Sequence, residues 1–150
     1  MIQLKRTDSS DPDFTTLVRL LDADLARRDG DDHAFYAQFN KVSSIRHVLV
    51  CFENGIPVGC GAFKPFDENS VEIKRMYTSP KMRGKGIASQ ILAALEVWAA
   101  ELNYRRCVLE TGEKQPEAIS LYRKSGYVVI PNYGQYAGIE NSICFEKNIG

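Results

Sequence analysis

The chain has 150 residues, 44% of them hydrophobic and 25% charged, with 19 Lys and Arg balancing 19 Asp and Glu. That is the size and composition of one globular domain around a single core, and zero net charge argues against nucleic-acid binding, which usually needs a basic face. No run approaches the roughly 18 apolar residues that would span a bilayer, and the opening "MIQLKRTDSSDPDF" has no apolar leader stretch.

In chain order, residues 14–28, "FTTLVRLLDADLARR", place Phe14, Leu17, Leu21 and Leu25 at helical spacing, which predicts an amphipathic helix. "GDD" at 30–32 breaks it, and "HAFYAQFN" at 33–40 predicts a second, short helix. "RHVLVCFENGIPVGCGAF", residues 46–63, has the pattern of a β-hairpin turning at Asn54-Gly55. "DEN" at 67–69 is another turn, and "SVEIKRMYT" at 70–78 alternates as a strand does. A helix over about 87–102 follows, with Ile87, Ile91, Leu95, Trp98 and Leu102 as its core stripe, widened by Ala88, Leu92 and Ala99. "RCVLET" at 106–111 suits a buried strand. Pro116, after Gln115, opens a further helix at a favourable first position, and Gly126 closes it. Strands near 127–130 and 138–147 flank the loop "PNYGQY". Two helices, three strands, helix, strand, helix and two strands make an α+β or mixed α/β fold around one sheet. Cys51, Cys60, Cys107 and Cys144 are widely spaced among strand-like residues, with no Cys-x-x-Cys pair. Buried, reduced thiols of a cytoplasmic protein are favoured over disulfides or a metal site.

"SPKMRGKGIASQ", residues 79–90, sets Lys81, Arg83 and Lys85 around Gly84 and Gly86 at the start of a helix. Unpaired N–H groups and the positive dipole end make such a terminus an anion site, and glycines let backbone approach the anion closely. A cationic surface turn is the alternative. The stretch lacks the Gly-Lys-Ser/Thr of a P-loop, and Ser89 stands where a dinucleotide fingerprint needs its third glycine.

Arg83-Gly84-Lys85-Gly86-Ile87-Ala88 resembles motif A, Arg/Gln-x-x-Gly-x-Gly/Ala, of the GNAT superfamily of acetyl-CoA-dependent N-acetyltransferases. "QPEAISLYRKSGY", residues 115–127, resembles that family's Asn-x-x-Ala-x-x-Leu-Tyr helix motif, with Gln115 at the Asn position. The resemblance extends over nearly the whole chain. It implies a single GNAT-like domain over residues 1–150, with a central, mostly antiparallel sheet splayed between strands 4 and 5 and flanked by about four helices. It implies acetyl-CoA as cosubstrate and no metal. The N–H groups of Gly84, Lys85, Gly86, Ile87 and Ala88 would cradle the pyrophosphate, with Lys81 and Arg83 adding attraction beside Lys85. Main-chain groups of Arg75, Met76 and Thr78, with Gln115 and Tyr122, would complete the cofactor contacts.

The same resemblance implies roles in acetyl transfer to a primary amine within a ternary complex. Tyr122 would be the acid near the CoA sulfur, with packing in the core beside Ala118 and Ile119 as the plain alternative. Glu72 would be the base, with Glu110 on the next strand as a rival and an exposed strand carboxylate as the plain alternative. The Met76 N–H would stabilise the oxyanion. His33 and His47 suit surface or satisfied positions, and Cys107 suits packing better than an acetyl-cysteine. Asp29, Asp31 and Asp32, with Asp22 and Asp24 on the preceding helix and the rings of Tyr133 and Tyr136, point to a small cationic amine as acceptor, against the plainer reading of a solvated acidic turn. A protein N-terminus or lysine as acceptor, and a non-catalytic acyl-CoA sensor, are the alternative readings. Neither nucleic acid nor membrane is an expected partner, and a homodimer is left open.

Overall fold

The computed structural model describes residues 1–29 and 44–150, and within them seven strands form one sheet in the order β1-β2-β3-β4-β5-β7-β6. The strands are β1 Ile2–Thr7, β2 His47–Glu53, β3 Ile56–Pro65, β4 Ser70–Thr78, β5 Arg106–Gly112, β6 Val128–Ile130 and β7 Ser142–Asn148. The helices among the described residues are α1 Pro12–Asp29, α2 Ile87–Glu101 and α3 Pro116–Lys124. The short helix expected at 33–40, together with His33, Asp31, Asp32 and the Asp29 side chain, lies outside the described residues.

β1 was not expected. Its sequence, "IQLKRT", is polar and mostly exposed, which suits the outermost strand of a sheet but gives little apolar alternation to detect. It pairs antiparallel with β2 from Ile2↔Glu53 to Thr7↔Val48. α1 begins two residues earlier than its apolar stripe. Pro12 takes the first helical position, and Asp11 Oδ1 accepts from the N–H groups of Asp13 (2.8 Å) and Phe14 (3.3 Å). The β2–β3 hairpin turns at Asn54 and Gly55, with φ of 52° and 82°, the two positive values of a tight primed turn.

Strand alternation builds a core on each face of the sheet. Leu49, Cys51, Val71 and Ile73 pack with Ile87, Ile91, Leu92, Leu95 and Ala99 of α2. Val48, Val50, Ala62 and Tyr77 pack beneath Phe14, Leu17, Val18 and Leu21 of α1. Two members of the expected α2 stripe fall at its margin. Trp98 is half-buried under the Arg6 guanidinium, 4.8 Å from its ring centroid, and Leu102 is the exposed C-cap.

The sheet divides at one place. β4 and β5 are its only parallel neighbours, and they pair only at Ser70↔Arg106, Val71↔Cys107 and Glu72↔Val108. Beyond that point β4 stays with β3 as far as Gly59↔Thr78, while β5 stays with β7 as far as Gly112↔Ser142. The two halves therefore diverge into a cleft. β4 also carries a bulge. Its register with β3 jumps from Ala62↔Lys74 to Cys60↔Tyr77, leaving Arg75 and Met76 without registered partners, and Arg75 has φ 60°.

Glycines on β3 allow α2 to sit directly on the strand. A Cβ on Gly59 would lie 2.9 Å from the Tyr77 carbonyl oxygen and 3.0 Å from Ile91 Cδ1. The carbonyl belongs to the paired backbone of β4 and cannot rotate aside. Gly59→Ala is expected to cost about 1–3 kcal/mol, the usual range for overpacking, measured as a lower midpoint in denaturant unfolding.

Candidate functional site

The cleft between β4 and β5 has a volume of about 800 Å³. Its walls come from β4, the end of β5, the start of α2, one side of α3, the face of α1 and Tyr136.

One mouth is the glycine loop. Gly84 and Gly86 both have φ 79°, and Gly86 is the N-cap of α2 in the left-handed conformation. No side chain caps this helix and no acidic residue occupies its first turn, so its first N–H groups have no anionic partner from their own element. A Cβ on Gly84 or Gly86 would meet nothing within 4 Å. The space beside the loop is open, and the glycines are needed for backbone conformation and not for packing. Gly84, Gly86, Ile87 and Ala88 all line the cleft.

The three cations of the loop divide. The Arg83 Nε donates to the Thr78 carbonyl at 3.0 Å, and its Nη2 reaches Asp24 Oδ2 on α1 at 3.4 Å. Arg83 thus braces the loop against β4 and α1. Lys81 and Lys85 are exposed and do not line the cleft, whereas Arg75, Met76, Thr78 and Gln115 do. Two polar atoms in this wall, Thr78 Oγ1 and Arg75 Nη2, are buried with no hydrogen-bond partner, a costly arrangement within a closed chain. An open cradle of N–H groups leading to an unsatisfied hydroxyl fits a long, polar, anionic ligand.

Deeper in, Tyr122 projects from α3 and is 6% exposed. Its ring packs on Tyr127 and Phe145, each with centroids 5.9 Å away. It is at once a core residue and a wall of the cleft. Burial, with a smaller contribution from the Glu110 charge, pushes its phenol above the ordinary value, so it holds its proton throughout the neutral range.

On the α1 face of β4 lie Glu72 and Lys74, two positions apart and therefore on one side of the strand. Glu72 is 4% exposed. Its Oε2 accepts from the Tyr133 hydroxyl at 2.8 Å, and its Oε1 lies 3.6 Å from Lys74 Nζ and 4.0 Å from Lys64 Nζ. A buried carboxylate is tolerable only with partners of this kind. Tyr133 stacks edge-on against Tyr136, with centroids 5.8 Å apart. Burial, followed by the Glu72 carboxylate, raises the Tyr133 pKa; for Tyr136 burial leads, followed by Glu110 and Glu72. The late loop therefore closes on the strand carboxylates.

The acidic residues of α1 are not a bare cluster. Asp22 Oδ1 accepts from Arg75 Nη1 at 2.9 Å, and Asp24 pairs with Arg27 at 3.0 Å as well as with Arg83. His47 is stacked flat on Phe63 at 4.7 Å, away from the cleft lining. Cys107 is fully buried, and burial pushes its thiol up to about 12. The four cysteines are free and buried. Sequence reasoning overlooked Lys74, although its period-two spacing from Glu72 was visible. Nothing in the sequence marked the bulge at Arg75.

A model of the acetyltransferase (GNAT) family matches residues 12–127. An IAA acetyltransferase of Azospirillum brasilense is 36% identical over 100 residues, 66% of this chain and 65% of that protein, so the alignment spans less than two thirds of the relative's length. A crystal structure from Klebsiella pneumoniae subsp. pneumoniae, of a protein classed as an acyl-CoA N-acyltransferase, superposes with a TM-score of 0.83 at 30% identity over 100% of this chain and 99% of the other. The PaiA N-acetyltransferase of Thermoplasma acidophilum, solved with coenzyme A, has a TM-score of 0.73 at 17% identity over 99% of each chain, a likeness of fold alone.

Proposed function

The chain belongs to the GNAT family of acetyltransferases, and on that premise we propose that residues 1–150 form one N-acetyltransferase domain that moves acetyl from acetyl-CoA to a primary amine by direct transfer. The observation that carries this reading is the divided sheet, whose cleft has an uncapped, glycine-entered helix at its mouth and a buried, protonated tyrosine inside.

In this reading the N–H groups of residues 84–88 bind the pyrophosphate, and the main chain of Arg75, Met76 and Thr78 aligns the rest of the donor, with Gln115 alongside. Thr78 adds a hydroxyl that has no partner inside the chain. Lys81 and Lys85 act at longer range. Acetyl-CoA supplies the activated acetyl group. Glu72, fixed by Tyr133 at 2.8 Å, takes a proton from the acceptor amine directly or through a water. The Met76 N–H polarises the thioester carbonyl, help worth roughly 10²–10³-fold where such a donor is well placed. Tyr122 gives its proton to the departing sulfur. A phenol with an ordinary pKa of about 10, raised further by burial, keeps its proton at neutral pH and so has one to give. The acceptor is a small cationic amine. Supporting this, Glu72, Glu110 and Tyr136 all line the cleft, and an aromatic face adds about 0.5–2 kcal/mol for an ammonium group.

Three measurements test the reading. Gly86→Val places a β-branched side chain at φ 79° in the space left for the anion. It should weaken CoA binding by calorimetry while circular dichroism stays native, and undiminished affinity in a folded variant removes the loop from the donor site. Tyr122→Phe should lower kcat by roughly 10- to 10³-fold, the scale of acid–base assistance, with CoA affinity nearly unchanged. Free-CoA release with matched cationic and neutral amines should favour the cationic one at low salt and less so at high salt, because charges beyond about 8 Å are screened at physiological ionic strength; equal kcat/KM values at low salt would exclude a cationic preference.

A further inference from the structure

Among the described residues two lysines, Lys74 and Lys124, line the cleft, and they differ in kind. Lys124 is exposed at the C-terminal end of α3. Lys74 lies on β4 with its side chain 15% exposed, 3.6 Å from the buried Glu72 carboxylate and within the field of Glu110 across the divide. Lys74 is two positions before Met76, where β4 has already left β5. Two strand positions span about 6.6 Å, and less across a bulge, a distance that a lysine's flexible four-carbon stem can cover. The Glu110 charge acts on both the Lys74 ammonium and the Tyr122 phenol, and all three residues line the cleft. An ammonium held 3.6 Å from the Glu72 carboxylate, in a cleft that Glu110 also lines, is already in the surroundings that an incoming amine would need.

We propose that Lys74 is an internal acetyl acceptor: with acetyl-CoA bound and no free amine present, the chain acetylates its own Lys74 Nζ. The proposal rests on the acetyl-donor reading given above. The Nζ ammonium first gives a proton to Glu72, and from there to solvent. Its lone pair then forms the N–C bond to the acetyl carbonyl as the C–S bond breaks. The second nitrogen proton is lost as the amide forms, and the departing sulfur takes a proton from Tyr122, which is reprotonated in turn. The products are N-acetyl-lysine, CoA thiol and one net proton, with no oxidant or metal involved. Burial lowers the Lys74 pKa more than its carboxylate neighbours restore it, which raises the fraction of neutral, nucleophilic amine. Acetylation also removes the cation paired with Glu72 and fills space on the acceptor side.

The test is peptide mapping and intact-mass measurement of the full chain incubated with acetyl-CoA alone. The expected result is one acetyl group per chain on Lys74, seen as lost tryptic cleavage after that residue. Its rate per chain should be independent of protein concentration, and Tyr122→Phe should slow it by roughly 10- to 10³-fold. Lys74→Arg should abolish the modification. Acetylation confined to exposed Lys81, Lys85 and Lys124, a Lys74 rate that grows with protein concentration, or one indifferent to Tyr122→Phe each overturns the proposal. CoA binding is measured by calorimetry on the same sample. An unmodified Lys74 in a chain that binds CoA overturns self-acetylation and leaves the donor reading standing, whereas a chain that does not bind CoA overturns both.

Discussion

The structure depends on where β4 stops pairing with β5. After Glu72↔Val108 each strand keeps its other neighbour, so each half of the sheet retains one complete ladder while the middle opens. Backbone groups along the opening lose sheet partners, and buried groups without partners are costly. The bulge adds to that cost. A non-glycine residue held in the left-handed region is unfavourable by about 1–3 kcal/mol, and Arg75 has φ 60°. The surrounding packing holds it there. Its guanidinium is buried and paired to Asp22 at 2.9 Å, and its carbonyl accepts from the Cys60 thiol at 3.4 Å. Strain of this kind is retained where the surroundings over-determine it, and here it lies in the wall of the cleft.

The glycine loop is anchored to the same strand. β4 ends at Thr78, whose carbonyl takes the Arg83 Nε, and the same guanidinium reaches α1 at Asp24. The N-terminus of α2 is therefore fixed relative to the opening by an arginine that spans three elements. The tight seat of α2 on Gly59 works to the same end from beneath.

Several charges in and beside the cleft are paired. Arg75 faces Asp22, Arg83 faces Asp24, and Lys74 faces Glu72, which also accepts from Tyr133. Such pairing offsets the desolvation of each ion and gives the late loop a fixed contact on β4. It also revises the picture of a free acidic surface on α1: Asp22 and Asp24 are structural partners of arginines from β4 and its loop.

By itself the sequence determined the local elements and the family. Apolar periodicity marked α1, α2, the hairpin and β4, because one buried face imposes a period of 3.6 or 2 on the residues that cover it. The glycines at 84 and 86 and the Leu121-Tyr122 helix carried the family resemblance, because a helix terminus that receives an anion needs particular backbone freedom at particular positions. β1 escaped notice, since an exposed edge strand has no apolar face to display. Tertiary structure alone decided the rest. The division of the sheet was expected only through the family resemblance, whereas the bulge at Arg75, the turning of Arg83 toward α1 and the meeting of Glu72 with Tyr133, 61 positions apart, all arise from contacts between distant segments. No local pattern encodes such contacts, because their energy appears only when the strands are already in place.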